Sequence, residues 1–367
     1  MTVKFLFKEF YAKLAIPKMT RILIIYTGGT IGMVNDSTTG VLKPFDFNQI
    51  LENVPELSRL NYQIKIHSFD PIIDSSNMHP EIWVELAELI EDNYPSYDGF
   101  VILHGSDTMA FTASALSFML EGLNKPVVFT GSQLPIGEIR TDAKENLITA
   151  LEIASAKKGG KAKVPEVCIY FDSQLFRGNR AFKYNSAKFE AFRSPNYPVL
   201  AEAGVHLSFN YANIRKCDNC VLKVHKSLSN DIAVLKIYPG ISKQTVKAIL
   251  GSKVKAIIME TFGAGNTHTD KWFLLLLEQA IKKGKIILDI SQCKVGSVEL
   301  GRYETSRELK GMGIASGYDM TFEAAVTKLM FLLGGSFSTE RIYELLETDL
   351  RGELSKKNPT NWKKAVF

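Results

Sequence analysis

Residues 21–32 read Arg-Ile-Leu-Ile-Ile-Tyr-Thr-Gly-Gly-Thr-Ile-Gly. The first six form a short apolar run rich in isoleucine that stops at a glycine turn. Unbroken apolarity over so few residues marks a strand covered on both faces, as in a parallel sheet. The two glycines allow a sharp turn and the close approach of a ligand. Thr27 and Thr30 then project hydroxyls from the carboxyl end of the strand. Neither the G-x-G-x-x-G nor the P-loop spacing is present, so a nucleotide cradle is weakly indicated. Taken alone, the segment fits a plain turn equally well.

Working outward, similar runs recur at Gln63–Phe69, Phe100–Leu103, Val127–Thr130 and Val167–Phe171. Helical patterns lie between them at Glu81–Asp92, Thr108–Glu121 and Asp142–Ala156. Strands alternating with helices of this length predict βαβ units. The fold class is therefore α/β, with a larger N-terminal, mostly parallel sheet and helices on both faces. The pattern weakens across 206–230, read as a linker. It restarts with strands at Ile232–Tyr238, Ala256–Glu260 and Lys285–Ile290 and helices near Lys243–Leu250 and across Asp270–Lys283. Helices at Thr321–Leu333 and Thr339–Glu347 complete a smaller C-terminal α/β domain. The expected division is an extension at 1–19, a catalytic domain at 20–205, the linker, a second domain at 231–355 and a tail at 356–367. A chain of 367 residues suits two domains.

Composition excludes several classes. Forty-four Lys and Arg are scattered among 39 Asp and Glu, giving +5 overall, so no nucleic-acid stripe is expected. No stretch reaches the roughly 18 apolar residues of a membrane span. Met1–Lys18 mixes lysines with aromatic residues and lacks a continuous apolar core and a cleavage site, so it does not read as a signal peptide. It reads as a surface-docked helix, or as residues preceding a start at Met19. Four cysteines do not make a secreted disulfide scaffold. Cys217 and Cys220 have metal or redox spacing, but a zinc site would want a second such pair, so a plain loop is expected. These features point to the cytoplasm.

In open α/β sheets reactive groups collect at the carboxyl ends of strands. His104-Gly105-Ser106-Asp107-Thr108-Met109 follows the third strand. Asp107 or Thr108 could simply cap the next helix. A serine beside an aspartate also suits an activated hydroxyl with an orienting carboxylate, and a helix N-terminus offers N–H groups to an anion. Asp74-Ser75-Ser76-Asn77-Met78 follows the second strand, and Ser132 and Gln133 follow the fourth. Lys183 ends Arg177-Gly178-Asn179-Arg180-Ala181-Phe182-Lys183. A lone lysine is usually a solvated surface residue; this one matters only if the fold brings it to Asp107.

Together these segments resemble the bacterial L-asparaginase/glutaminase family, and most of all its cytoplasmic (type I) branch. Thr27–Gly32 is similar to the first family signature. His104–Met109 is similar to the second, with Ser106 where the family usually has Thr. The likeness spans roughly residues 20–355 and takes in Ser194–Tyr197, Tyr238–Ile241 and Arg351–Leu354. It implies hydrolysis of L-asparagine to L-aspartate and ammonia through Thr30 as nucleophile and an acyl-enzyme. It implies a second cluster of Ser106, Asp107 and Lys183, substrate binding by Asp74, Ser75 and Ser132, no metal or organic cofactor, and a homodimer or homotetramer. Many members carry a Tyr on the loop after the first signature; here Gly40–Lys43 has none. Tyr303 is the expected substitute. Glu260 stands where a basic residue of a regulatory asparagine site is expected, which argues against allosteric control, although Cys293 is kept.

Two other readings remain at this level. A small-molecule binding protein of two α/β lobes would need a cleft but no contact among the catalytic residues. A tRNA-dependent amidotransferase subunit would carry a substantial domain ahead of the first signature, where only about 20 residues stand.

Overall fold

The computed structural model describes residues 19–35, 42–44, 54–217, 220–302 and 304–356. The strand that opened the sequence reading is β1 (Thr20–Tyr26). Parallel to it on one side runs β2 (Tyr62–Ser68), and on the other β3 (Gly99–Leu103), β4 (Val127–Thr130) and β5 (Val167–Phe171). The order β2-β1-β3-β4-β5 reverses direction between β1 and β3. Ligands of open α/β sheets bind at such a switch point.

Side chains along β1 alternate between the two faces. Leu23 and Ile25 pack with Trp83 and Leu86 of α1 (Pro80–Asn93) and with Leu116 of α2 (Met109–Met119). Ile22, Ile24 and Tyr26 pack with Leu147 and Leu151 of α3 (Ala143–Ser155). Both faces are thus dry from Ile22 to Tyr26, which is why the run is apolar over those positions.

After β5 the chain turns back. Asp172 and Ser173 both take positive φ, at 47° and 65°, which suits the tight turn into antiparallel β6 (Gln174–Arg177). Antiparallel β7 (Ala201–Ala203) and β8 (Leu207–Phe209) finish the eight-stranded sheet. The stretch read as a linker therefore contributes an edge strand, and its Lys223–Val224 pairs with Leu120–Glu121 after α2. Cys217 and Cys220, placed in a loop as expected, are joined by a disulfide. Their Cα atoms lie 5.7 Å apart, within the usual bridging span.

The second sheet is fully parallel: β9 (Ile232–Lys236), β10 (Ala256–Thr261), β11 (Ile286–Ser291) and β12 (Ala315–Ser316). One face is covered by α4 (Lys243–Leu250) and α5 (Lys271–Lys282), the other by α7 (Phe322–Gly334) and α8 (Thr339–Leu346). The short α6 (Glu304–Gly311) was not evident in the sequence pattern. Helix α7 also packs on α2 of the large domain. Phe111 meets Phe322 edge-on, and Phe118 stacks on Phe331 at 6.0 Å. No helix among the described residues is long and apolar enough to cross a membrane.

One carboxyl group sits inside the second sheet. Asp289 is fully buried on β11 and accepts a hydrogen bond from the Thr261 hydroxyl at 2.7 Å. Burial in this apolar layer pushes its pKa up to about 8. The unfolded chain releases this proton near pH 3.9, so between about pH 4 and about pH 8 the folded state binds more protons. Stability contributed by this group therefore falls as pH rises through that window. Melting of wild type and Asp289→Asn across the window should show a steeper loss toward pH 8 in wild type. Parallel curves would remove Asp289 as the cause.

Candidate active site

Four neighbouring strands end at one level. Tyr26 pairs with Ser68 of β2 and with Leu103 of β3, and Leu103 pairs with Thr130 of β4. The next backbone hydrogen bonds continue the ladder, Thr27 N–H to Leu103 O and His104 N–H to Thr130 O, each at 3.0 Å. The loops that leave these strands therefore emerge side by side. They carry Thr27–Thr30, Asp74–Asn77, His104–Thr108 and Gly131–Leu134.

Glycines let the loops touch. Gly29 has φ +95°, and a Cβ there would lie 2.6 Å from Gly105 N. A Cβ on Gly105 would lie 2.4 Å from Ser75 Oγ. Any side chain at either position would push the loops apart. Thr30 opens a short 3-10 turn directly after Gly29 and is half-buried. Ser106 follows Gly105 and is also half-buried. Thr30 and Ser106 thus stand on loops whose backbones are in contact.

The Asp74 carboxylate is exposed and accepts from Ser76 N–H at 2.9 Å, capping the turn. Ser75 is buried against Gly105, and its carbonyl accepts from the Thr108 hydroxyl at 2.7 Å. Ser132 is buried too, and its hydroxyl donates to Leu134 O at 2.6 Å. Asp142 holds that loop by accepting from Gln133 N–H and Leu134 N–H.

Lys183 arrives from across the sheet. Its ammonium donates to Ser106 Oγ at 2.9 Å and to Asp107 Oδ1 at 2.6 Å. The Lys183 side chain is 19% exposed and that of Asp107 63%. One ammonium thus ties a hydroxyl and a carboxylate into a single cluster at the start of α2. Tyr303 lies outside the described residues.

Beneath the loops, His104 is fully buried. Its Nδ1–H donates to Gly105 O at 2.7 Å, because a carbonyl can only accept. Its Nε2 therefore accepts from the Thr112 hydroxyl at 2.9 Å, and Thr112 in turn accepts from Trp83 Nε1–H at 3.1 Å. Burial pushes the His104 pKa down to about 4, so the ring is neutral at ordinary pH and this chain of bonds has one direction.

Two family models match the chain: "Asparaginase, N-terminal" over residues 21–215 and "Glutaminase/Asparaginase C-terminal domain" over residues 231–346. The chain belongs to the asparaginase family of amidohydrolases. It is 42% identical over 335 residues to L-asparaginase 1 of Escherichia coli (strain K12), covering 91% of this chain and 98% of that protein. It is 41% identical over 362 residues to the 60 kDa lysophospholipase of Mus musculus, covering 91% of this chain but only 62% of that protein. The crystal structure of L-asparaginase I from Vibrio cholerae superposes with a TM-score of 0.84 at 40% identity, covering 92% of this chain and 99% of that one.

Within the asparaginase fold, the path to Lys183 is fixed by contacts that the sequence reading did not anticipate. Arg180, fully buried, pairs with Asp319 of the second domain at 3.1 Å. Its guanidinium also donates to Gly352 O at 2.6 Å and to Ser355 Oγ at 2.7 Å. Asn179 donates to Arg351 O, and Arg177 pairs with buried Glu166 at 2.6 Å. The segment 177–180 is thereby clasped to residues 351–355, three positions before Lys183. Only the Arg-x-x-Arg spacing was visible beforehand, and charges at that spacing usually face water. Arg180→Met leaves the Asp319 carboxylate buried without its cation, so it is expected to cost about 3–5 kcal/mol. Denaturant unfolding reads this directly. A loss below about 1 kcal/mol would show that the clasp is not needed to hold the segment.

Proposed function

We propose that this chain hydrolyses the side-chain amide of L-asparagine to L-aspartate and ammonia. The observation that carries the reading is the Lys183 ammonium held between Ser106 Oγ and Asp107 Oδ1, on a loop in backbone contact with the loop of Thr30. The 42% identical L-asparaginase 1 supports the choice of reaction and substrate.

In this reading Thr30 Oγ attacks the amide carbon and forms a tetrahedral adduct. A threonine hydroxyl is a weak nucleophile and needs its proton removed as the bond forms. Collapse of the adduct expels ammonia, which takes up a proton through the Ser106, Asp107 and Lys183 cluster. Water then cleaves the Thr30 ester, releasing L-aspartate and restoring the hydroxyl. Asp74 and Ser75 would receive the α-amino and α-carboxylate groups, and Ser132 the amide. Unpaired N–H groups at the start of α2 supply a positive end for developing negative charge. Tyr303 is assigned to activation of Thr30, because the loop after the first signature carries no tyrosine. Assembly as a homodimer or homotetramer in the cytoplasm belongs to the same reading.

Ammonia release from L-asparagine, L-glutamine and D-asparagine tests the assignment. Thr30→Ala should abolish release from L-asparagine. Ser106→Ala should lose about 10²-fold or more in turnover, while Ser106→Thr changes it little, since the hydroxyl stays and only its rotamer freedom narrows. A folded wild type that releases no ammonia from any of the three would overturn the reading. Tyr303→Phe should lower turnover sharply; near-normal turnover would remove Tyr303 from the mechanism.

A further inference from the structure

Thr108 stands at the N-cap position of α2, where a threonine side chain ordinarily accepts a hydrogen bond from an N–H of the first turn. Here it makes no such bond. Its hydroxyl donates instead to Ser75 O at 2.7 Å, on the loop after β2 and 33 positions away in sequence. The backbone of Thr108 already starts the helix, since its carbonyl accepts from Thr112 N–H at 3.0 Å. The side chain therefore joins two loops of the candidate active site and leaves its own helix uncapped. Departures of this kind from local rules concentrate at functional sites.

The turn that Thr108 holds has few other moorings. Just ahead of it, Ile73 N–H donates to Thr27 O at 2.8 Å. Within the turn the bonds are internal: the Asp74 carboxylate accepts from Ser76 N–H, Asp74 O from Asn77 N–H, and Ser75 O from Met78 N–H. These bonds shape the turn but do not set how it stands relative to Ser106. Ser75, 4% exposed, packs against Gly105, where a Cβ would lie 2.4 Å from Ser75 Oγ. That contact has no preferred direction, whereas a hydrogen bond does. Among the described residues, the Thr108 hydroxyl makes the one hydrogen bond between residues 74–78 and residues 104–108.

We propose that Thr108 is a positioning residue for substrate recognition, setting the turn of Asp74 and Ser75 at a fixed spacing from the cluster of Ser106 and Lys183. The inference rests on the reaction proposed above. In L-asparagine a single methylene separates the α-carbon from the amide carbon. Both ends of so short a substrate are engaged at once only when the two loops keep one spacing. A misplacement of about 1 Å is enough to impair a site of this kind. Two hydroxyls on one loop thus divide the work: Ser106 faces the reacting group, and Thr108 holds the seat of the α-amino and α-carboxylate groups.

The test compares ammonia release from L-asparagine by wild type, Thr108→Val, Thr108→Ala and Thr108→Ser, with thermal melting to confirm that each variant folds. Val keeps the branched shape and lacks the hydroxyl, whereas Ser keeps the hydroxyl. Thr108→Val and Thr108→Ala should raise KM about tenfold, or about 1.4 kcal/mol, the scale of one net hydrogen bond. Their kcat should stay within about threefold of wild type, because a rise in KM alone marks lost binding and not lost chemistry. Thr108→Ser should return KM to within about twofold of wild type. Hydrogen exchange supplies a readout that needs no turnover. The amides of residues 73–78 should exchange several-fold faster in Thr108→Val, and at the wild-type rate in Thr108→Ser, with α1 unchanged in both. Unchanged exchange in Thr108→Val, or unchanged KM in an active enzyme, would overturn the proposal. So would a KM raised as much by Ser as by Val, which would assign the effect to the methyl group. A loss confined to kcat would also overturn it, by moving Thr108 into the reacting cluster. A wild type that releases no ammonia sinks the proposed reaction instead, and exchange then still decides whether Thr108 holds the turn.

Discussion

The backbone ladder across β2, β1, β3 and β4 sets everything above it. Because Tyr26, Ser68, Leu103 and Thr130 stand in one register row, four loops rise from the sheet at the same height. The inner strands β1, β3 and β4, four to seven residues long and covered on both faces, have little freedom to slip, since a one-residue shift would turn every side chain to the opposite layer. The reactive hydroxyls are thus placed by hydrogen bonds and packing far more than by the loops that carry them. Gly29 and Gly105 then remove the side chains that would keep those loops apart.

Lys183 reaches the same place by a different route. It is delivered by a segment that runs beside α2 and is tied down by the second domain. Arg180, Asp319, Gly352 and Ser355 form a buried polar junction in which each charge has a partner. A second buried pair, Lys328 with Glu353 at 2.6 Å, holds the same terminal stretch from the side of α7, and Lys328 also donates to Leu346 O and Thr348 O. Such pairs are poor sources of net stability, but breaking either one is costly, so they fix geometry. The phenylalanine contacts between α2 and α7 bury the apolar part of the same interface. The second domain therefore acts on the site without supplying any of the described residues that touch Ser106.

The two ends of the large sheet are chemically opposite. At the carboxyl ends, free N–H groups, hydroxyls and one lysine converge on a small polar cluster. At the amino ends, Lys125, Lys157, Lys158, Lys161 and Lys163 stand around one cavity. Separation by the length of a strand keeps the two apart, so electrostatics at one end is little felt at the other through water and salt. The neutral His104 and the buried Asp289 show the same economy inside the domains. Each is held uncharged by burial, although the Thr261 hydroxyl that donates to Asp289 favours its charged form.

Much of this was legible in the chain itself. The unbroken apolar run at 22–26, the spacing of strands and helices, and the glycine turn at 28–29 determine an α/β sheet whose first strand ends in a loop of two glycines and two threonines. The reason is local, because periodicity and glycine conformational freedom act over a few residues. The segments holding Thr30, Ser106, Asp74 and Ser132 could be placed at strand ends on the same grounds. Whether Lys183 was a surface residue or part of a cluster could not be read, because its partners lie 76 and 77 positions away in sequence. The clasp across 172–175 positions, the edge strand within the supposed linker, the disulfide at 217–220 and the gathering of scattered lysines into one basin were equally hidden. Each depends on where distant segments fold back upon one another, and only the tertiary structure decides that.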